Sequence, residues 1–392
     1  MSHPILITNA TIYTPLQRLE AAAVRIRGAQ IAEVGLADEL LPAPDDEVLD
    51  AGGLLLAPGF IDLQLNGGFG HDFTRDPQTL WPVAAQLPRY GVTGFLPTIV
   101  TSPPRTVARA QEIVRRQPDR FKGATPLGLH VEGPFLNPAK RGAHYPEHLR
   151  APHEALIKEW APSSGVRLVT LAPELPGALD LVRTLRRNGV VVSAGHSLAS
   201  YEEALAGFQA GVTYSTHLFN AMPSLHHRRP GLVGAVLATP DVCAGLIADG
   251  VHVHAALVRL VWQLLGPRRL NLVTDAMAAL GMSPGQYHLG DHTVAVDEQR
   301  ATLPDGTLAG SILSLDQALR NLIQFSNCST GEALQTITST PAALLGLGGR
   351  KGHIAPGYDA DLTLLTPDLK IKATFVAGEK VYEQQDHTPD VN

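Results

Sequence analysis

The sequence predicts an α/β protein: a distorted (β/α)8 TIM barrel carrying a small β-sandwich domain built from both chain ends. Three observations lead there. Eight apolar runs recur, at 59–66, 92–100, 124–133, 166–174, 190–196, 212–219, 243–251 and 271–277. Most are separated by stretches of helical spacing, an alternation that makes parallel strands, and eight of them close a barrel. The two chain ends read differently, as short strands broken by turns.

In chain order, residues 4 to about 56 alternate and are punctuated by glycine, as in Ala23-Val24-Arg25-Ile26 before Arg27-Gly28, which predicts a small antiparallel sheet. From Phe60 the strand, turn, helix rhythm begins, with helices expected over 76–90, 104–116, 176–188, 200–210 and 255–265. An open doubly wound sheet is the alternative, but no Gly-x-Gly-x-x-Gly fingerprint follows the first strand. Residues 283–309 break the rhythm and read as a hairpin-like insertion. A helix over 311–326 follows, with Leu315, Leu319 and Leu322 on one face, then two shorter helical pieces to about Leu347. Strands at 360–365 and 371–376 return to the opening style. The boundaries expected are 1–57 with 350–392 for the β domain and 58–349 for the barrel.

Composition narrows the function. At 44% hydrophobic, the 392 residues can bury a large core. A net charge of −6 with no basic run argues against a nucleic-acid partner, because phosphate neutralisation needs clustered Lys and Arg. Cys243 and Cys328 are too few for a disulfide framework or a multi-cysteine zinc site. No basic-then-apolar leader opens the chain, and no run of about 18 apolar residues occurs, so a cytoplasmic, membrane-free location is expected.

Reactive groups of such a barrel lie where its strands end. The third strand, through His130 and Val131, ends in Glu132 before Gly133-Pro134 stops it. A carboxylate ending a buried strand is costly without a positive partner. The fifth strand ends in His196 and the sixth in His217. One carboxylate and two imidazoles suit a divalent ion with a position open for water, whose pKa the ion lowers towards about 7. The eighth strand ends in Asp275, which reads either as a general acid/base or as a helix N-cap. His130 shares the Glu132 face and reads as a hydrogen-bonded lumen residue or as a participant. Gln64 and Asn66 share one face of the first strand and can satisfy neighbours. His144, in a long polar loop, has the chemistry to donate to a substrate carbonyl. The 226–229 loop, His-His-Arg-Arg, reads as solvated surface or as part of a site.

Together these segments resemble the amidohydrolase superfamily and, within it, the N-acetylglucosamine-6-phosphate deacetylase family. The matching pieces are the Pro58–Gly67 segment, Leu129-His130-Val131-Glu132-Gly133-Pro134-Phe135, Lys140 to His144, Gly195-His196-Ser197 and Thr216-His217-Leu218-Phe219-Asn220-Ala221-Met222. Ala248-Asp249-Gly250-Val251-His252, Val273-Thr274-Asp275-Ala276-Met277, Leu308-Ala309-Gly310-Ser311 and the Ile354–Leu362 tail complete the set, in order along nearly the whole chain.

The resemblance implies a hydrolase of linear amide C–N bonds in amino-sugar catabolism, releasing acetate and glucosamine 6-phosphate from N-acetylglucosamine 6-phosphate. It gives Glu132, His196 and His217 the metal-ligand roles, Asp275 the acid/base role, and His144 the polarisation of the amide carbonyl. Substrate binding falls to Ala143, His144, Asn220, Ala221, Leu308, Ala309 and Gly310, with Arg228 and His252 at the phosphate positions. In the family that Arg comes from a neighbouring subunit, so a homodimer is implied. Many superfamily members carry His-x-His where Gln64 and Asn66 stand, so one ion per subunit is expected: zinc first, with iron, cobalt or manganese also accommodated. The competing readings are an amidohydrolase acting on another N-acyl amino sugar or a cyclic amide, and a non-catalytic assembly protein. The second expects lost ligands, yet all four key positions are filled.

Overall fold

The computed structural model describes residues 3–385. Residues 1–2 and 386–392 of the expected β domain lie outside them. Nine parallel strand segments form the barrel sheet. Two of these, Thr125–Pro126 and Leu129–Glu132, are halves of one strand interrupted at Gly128, which adopts a φ of 127°. Eight strands therefore remain: Phe60–Leu65, Val92–Val100, the split third strand, Val166–Leu171, Val191–Ala194, Tyr214–Ser215, Cys243–Leu246 and Leu270–Leu272. Val92–Val100 is buried at every residue, as a parallel strand covered on both faces must be.

The outer helices form where sequence supplies caps and apolar faces. Tyr201–Ala210 starts at a capping box, with the Ser200 side chain accepting from Glu203 N–H and the Glu203 carboxylate accepting from Ser200 N–H. Ala178–Arg187 buries Leu181, Val182 and Leu185 against the barrel. The helix expected over 76–90 is three short pieces, Pro77–Thr79, Leu80–Ala84 and Leu87–Tyr90. Pro82 and Pro88 account for that, since neither can donate to a continuing helix. Short 3-10 turns, not a helix, join the third strand to the fourth.

The chain ends meet in one eight-stranded sheet with its own core of Ile7, Val24, Ile26, Leu56, Leu362 and Phe375. It is mixed rather than antiparallel, because Ile5–Tyr13 pairs in parallel with Glu47–Asp50 and Leu55–Pro58. Parallel partners need a crossover, which the Arg18–Arg27 and Gln30–Leu36 hairpin supplies. Residues 283–309 form a small three-stranded antiparallel sheet, Gly285–Leu289, His292–Val296 and Ala301–Thr302, packed on Val100, Met277 and Ala278 at the barrel mouth. No helix of the described residues is long and apolar enough to cross a membrane. Cys243 and Cys328 are free thiols.

The seam between the first and last barrel strands is closed by backbone bonds, Asp275 N–H to Gln64 O and Asn66 N–H to Ala276 O, and by one buried side chain. Asp62, 2% exposed, accepts from the backbone N–H groups of Gln64 (3.2 Å) and Thr274 (3.3 Å), and its other oxygen lies 2.6 Å from Thr274 Oγ1. Burial pushes this carboxyl up to about 7 from 3.8. The native state thus holds a proton that the unfolded chain releases, so stability falls as pH rises from about 4 to about 7. Asp62→Asn keeps the hydrogen-bonding shape without the titration. Urea unfolding at pH 5 and 7.5 is expected to show the wild type losing up to about 2.5 kcal/mol relative to the Asn variant across that window, at about 1.36 kcal/mol per pH unit over which only the native state holds the proton. A pH-independent difference between the two would refute it.

Candidate active site

Three ligand atoms converge where the third, fifth and sixth strands end. Glu132 closes its strand, and His196 and His217 each follow theirs by two residues. Both histidines sit at positive φ, 50° and 28°, so the backbone turns sharply and throws each imidazole inward. Gly195 lets the two strands approach, as a Cβ there would lie 2.9 Å from Thr170 and 3.0 Å from Thr216. Gly133 is equally constrained, at φ 94°, with Thr101 Oγ1 2.2 Å from where a Cβ would stand.

Glu132 Oε1 lies 3.2 Å from His196 Nε2 and 3.0 Å from His217 Nε2, and the two imidazole nitrogens are 3.0 Å apart. These atoms all fall within 4.8 Å of one another, and all three residues are buried. Burial opposes the charge on Glu132, and the hydrogen bonds from His196 and His217 outweigh it, holding the carboxyl well below its usual range. Among the described residues its ion-pair partners are histidines, with no Lys or Arg. His196 Nδ1 donates to the Lys140 carbonyl at 2.8 Å, which fixes the ring with Nε2 facing the centre. Converging, buried N and O donors with no Lys or Arg among their partners fit a divalent ion.

Asp275 stands across the same mouth, 9% exposed. No helix follows it, and Ala276 bridges Leu65 and Ser311 instead, so it caps nothing. Burial first, and the Glu132 charge second, raise its pKa above the usual 3.8. His144 Nδ1 accepts from Thr101 N–H at 3.2 Å, so its proton belongs on Nε2, 3.9 Å from Glu132 Oε2. Burial keeps that ring neutral, well below its usual pKa. It is thus a neutral N–H donor beside the candidate metal position.

These groups line a cavity of about 350 Å3, together with Ala143, Asn220, Ala221, His252, Leu308 and Gly310. His252 Nδ1 is 2.6 Å from Asp249 Oδ2. Burial disfavours the Asp249 charge, and the bond to His252 overcomes it. Two expected substrate residues stand elsewhere. Ala309 is fully buried behind the wall with Met277 and Val294. Arg228 is exposed and absent from the wall of its own cavity. His130 is a lumen residue, with Nδ1 3.2 Å from Thr98 Oγ1 and Nε2 2.7 Å from Thr170 Oγ1, and burial lowers its pKa to about 4. Wall residues that sequence reasoning did not assign are Val100, Ala139, Lys140, Gly142, Leu289 and Thr307. Lys140 had a signal, as it opens the loop segment leading to His144. Leu289 had none, because it arrives from the inserted sheet.

Comparison with known proteins agrees with this geometry. The amidohydrolase family model matches residues 55–381. The chain is 42% identical over 354 residues to the human N-acetylglucosamine-6-phosphate deacetylase, covering 86% of each. It is 34% identical over 386 residues to the Bacillus subtilis N-acetylglucosamine-6-phosphate deacetylase, covering 96% of this chain and 97% of that one. The crystal structure of the Pasteurella multocida N-acetylglucosamine-6-phosphate deacetylase superposes with a TM-score of 0.91 at 32% identity, covering 97% of this chain and all of the other (100%). A mutant of the Mycobacterium smegmatis deacetylase, solved in complex with N-acetyl-D-glucosamine-6-phosphate, gives 0.88 at 34% identity over 97% and 99% of the two chains. The chain belongs to the amidohydrolase family and, within it, to the N-acetylglucosamine-6-phosphate deacetylases.

Proposed function

We propose that this chain hydrolyses N-acetylglucosamine 6-phosphate to glucosamine 6-phosphate and acetate. The observation that carries the reading is the buried Glu132, His196 and His217 cluster facing Asp275 and His144 across one cavity. At about 350 Å3 that cavity suits one sugar phosphate.

Glu132, His196 and His217 would hold the divalent ion, whose chemistry is to acidify water and polarise the acetyl carbonyl. Asp275 takes the proton as the water oxygen bonds to the carbonyl carbon. His144 Nε2–H donates to the carbonyl oxygen as negative charge develops there. As the C–N bond breaks, Asp275 returns the proton to nitrogen, so the amine leaves and acetate remains. Asn220 and Ala221 present the sixth-strand loop to the sugar, and Leu308 and Gly310 close the opposite wall. Gln64 and Asn66 offer amides where two imidazoles would be needed, which supports one ion per subunit. Two His and one carboxylate favour zinc, and accept iron, cobalt or manganese.

His252 and Arg228 are assigned to the phosphate. Arg228 stands exposed outside its own cavity wall, which supports a homodimer in which it serves the neighbouring site. Exposed Leu225, Leu257, Leu260 and Leu264 offer apolar surface for such a contact. A cytoplasmic location and a barrel unit of 58–349 complete the proposal.

A deacetylation assay on the phosphorylated and free sugars, with elemental analysis of the same sample, tests this reading. Wild type is expected to prefer the phosphorylated sugar strongly, and Arg228→Ala to raise its KM about 10- to 100-fold, the range for losing one charge-assisted phosphate contact. Equal turnover of both sugars would instead favour another N-acyl amino sugar as the substrate. No turnover of either by metal-loaded protein would overturn the reading.

A further inference from the structure

Gln64 and Asn66 occupy the strand end where two metal ligands could stand, yet both point their amide N–H groups at Asp275. Asn66 Nδ2 donates to Asp275 Oδ1 at 2.7 Å and lies 3.2 Å from the Asp275 backbone oxygen. Gln64 Nε2 donates to the same Oδ1 at 3.0 Å and is 3.3 Å from each Glu132 carboxylate oxygen. Both side chains are essentially inaccessible, at 1% and 2% exposure, so these bonds are not exchanged with solvent.

The backbone reinforces the arrangement. Asp275 adopts a φ of 48°, a left-handed conformation that an unbranched polar residue tolerates at a cost. It is held there by its N–H donating to Gln64 O and its carbonyl accepting from Ser311 N–H, both at 2.8 Å. Asn66 N–H, in turn, donates to Ala276 O at 2.8 Å. The first and eighth strands therefore grip Asp275 by main chain and side chain together. Primary amides do not titrate, so they donate at every working pH, whereas imidazoles at the same positions would turn lone pairs towards an ion.

Two donors on one carboxylate oxygen divide the labour between the two oxygens. We propose that Asn66 and Gln64 are positioning residues for the hydrolysis: they dedicate Asp275 Oδ1 to anchoring the carboxylate, and leave Oδ2 as the oxygen that receives the proton from water and delivers it to the amine. Gln64 also fixes the spacing between the proton carrier and Glu132, because one amide spans both carboxylates. The strand-end amides are thus spent on the acid/base, which gives a positive reason for their presence beyond the lack of a second ion. The inference rests on Asp275 being the proton carrier.

The test is a double-mutant cycle on the metal-loaded, full-length protein, using Asn66→Ala, Asp275→Asn and the two combined, with kcat, KM and metal content measured for each. Asn66→Ala is expected to lower kcat about 30- to 100-fold with KM changed less than about twofold and one ion retained, a loss made only in the transition state. In the Asp275→Asn background the same change is expected to cost nothing further, since there is no proton carrier left to orient. Gln64→Ala, expected to lose about 10-fold in kcat with the same non-additivity, serves if the Asn66 variant does not fold. Unchanged kcat in the single variants, or losses that multiply in the doubles, would overturn the inference. Near-normal turnover by Asp275→Asn alone would instead overturn the reading on which it rests.

Discussion

Asp275→Asn is expected to keep its fold and its metal and to lose about 1,000-fold in kcat, the middle of the range for removing a general acid/base. The substitution preserves volume and leaves an oxygen to accept from Asn66 and Gln64, which now meet Asp275 Oδ1 at 2.7 and 3.0 Å. What it removes is the capacity to take a proton and give it back. No other described carboxyl on the cavity wall is free to substitute, because Glu132 is tied to both histidines. Burial and the Glu132 charge both raise the Asp275 pKa, so the proton is held more readily than by an exposed aspartate. That suits a group which must hold a proton briefly and then pass it to an amine. Steady-state kinetics with elemental analysis on the same preparation checks the prediction. Near-normal deacetylation would show that Asp275 carries no proton in the reaction.

Much of this site is legible in the sequence, and the reason is geometric. Strands buried on both faces leave long apolar runs in sequence, and in a closed parallel barrel the residue after each run must face the mouth. Glu132, His196, His217 and Asp275 fall at those positions, and they converge in space from four separate strands. What could not be read are the contacts that set each group's chemistry. The proton of His196 is fixed by the Lys140 carbonyl, 56 residues away, and that of His144 by Thr101, 43 residues away. For His196 the partner is a backbone carbonyl, which leaves no side-chain signal, and for His144 it is the backbone N–H and hydroxyl of Thr101, at 3.2 and 2.9 Å, just after a strand whose pairing the sequence does not show. The seam at Asp62 was likewise invisible, since an acid inside an apolar run looks like an interruption until Thr274, 212 residues on, is placed beside it. Outside the site, the broken 76–90 helix shows helical spacing overruled by two prolines. The parallel pairings of Ile5–Tyr13 depend on a crossover that alternation alone does not reveal.

Glu132→Ala is expected to abolish both the bound ion and the turnover. The variant leaves two imidazole nitrogens 3.0 Å apart with no anionic partner, and two neutral donors hold a divalent ion far less tightly than two donors and a carboxylate. Metal content is expected to fall from one ion per chain to well below that, with kcat/KM down by more than about 1,000-fold, comparable to losing a catalytic group outright. A purely structural role for Glu132 would give a different pattern: the ion kept, the melting temperature lowered, and activity lost only on heating. Thermal denaturation separates the two. An ion that binds the native state alone raises the midpoint by mass action, so titrating zinc into chelator-treated wild type should raise its melting temperature and restore activity. The Glu132→Ala variant should show neither response. In the wild type without its ion, the carboxylate stays bonded to His196 and His217, so chelated protein keeps a paired centre and remains folded enough for the comparison. Stoichiometric metal in the alanine variant would remove Glu132 from the ligand set and, with it, the reason for placing a buried acid at the end of that strand.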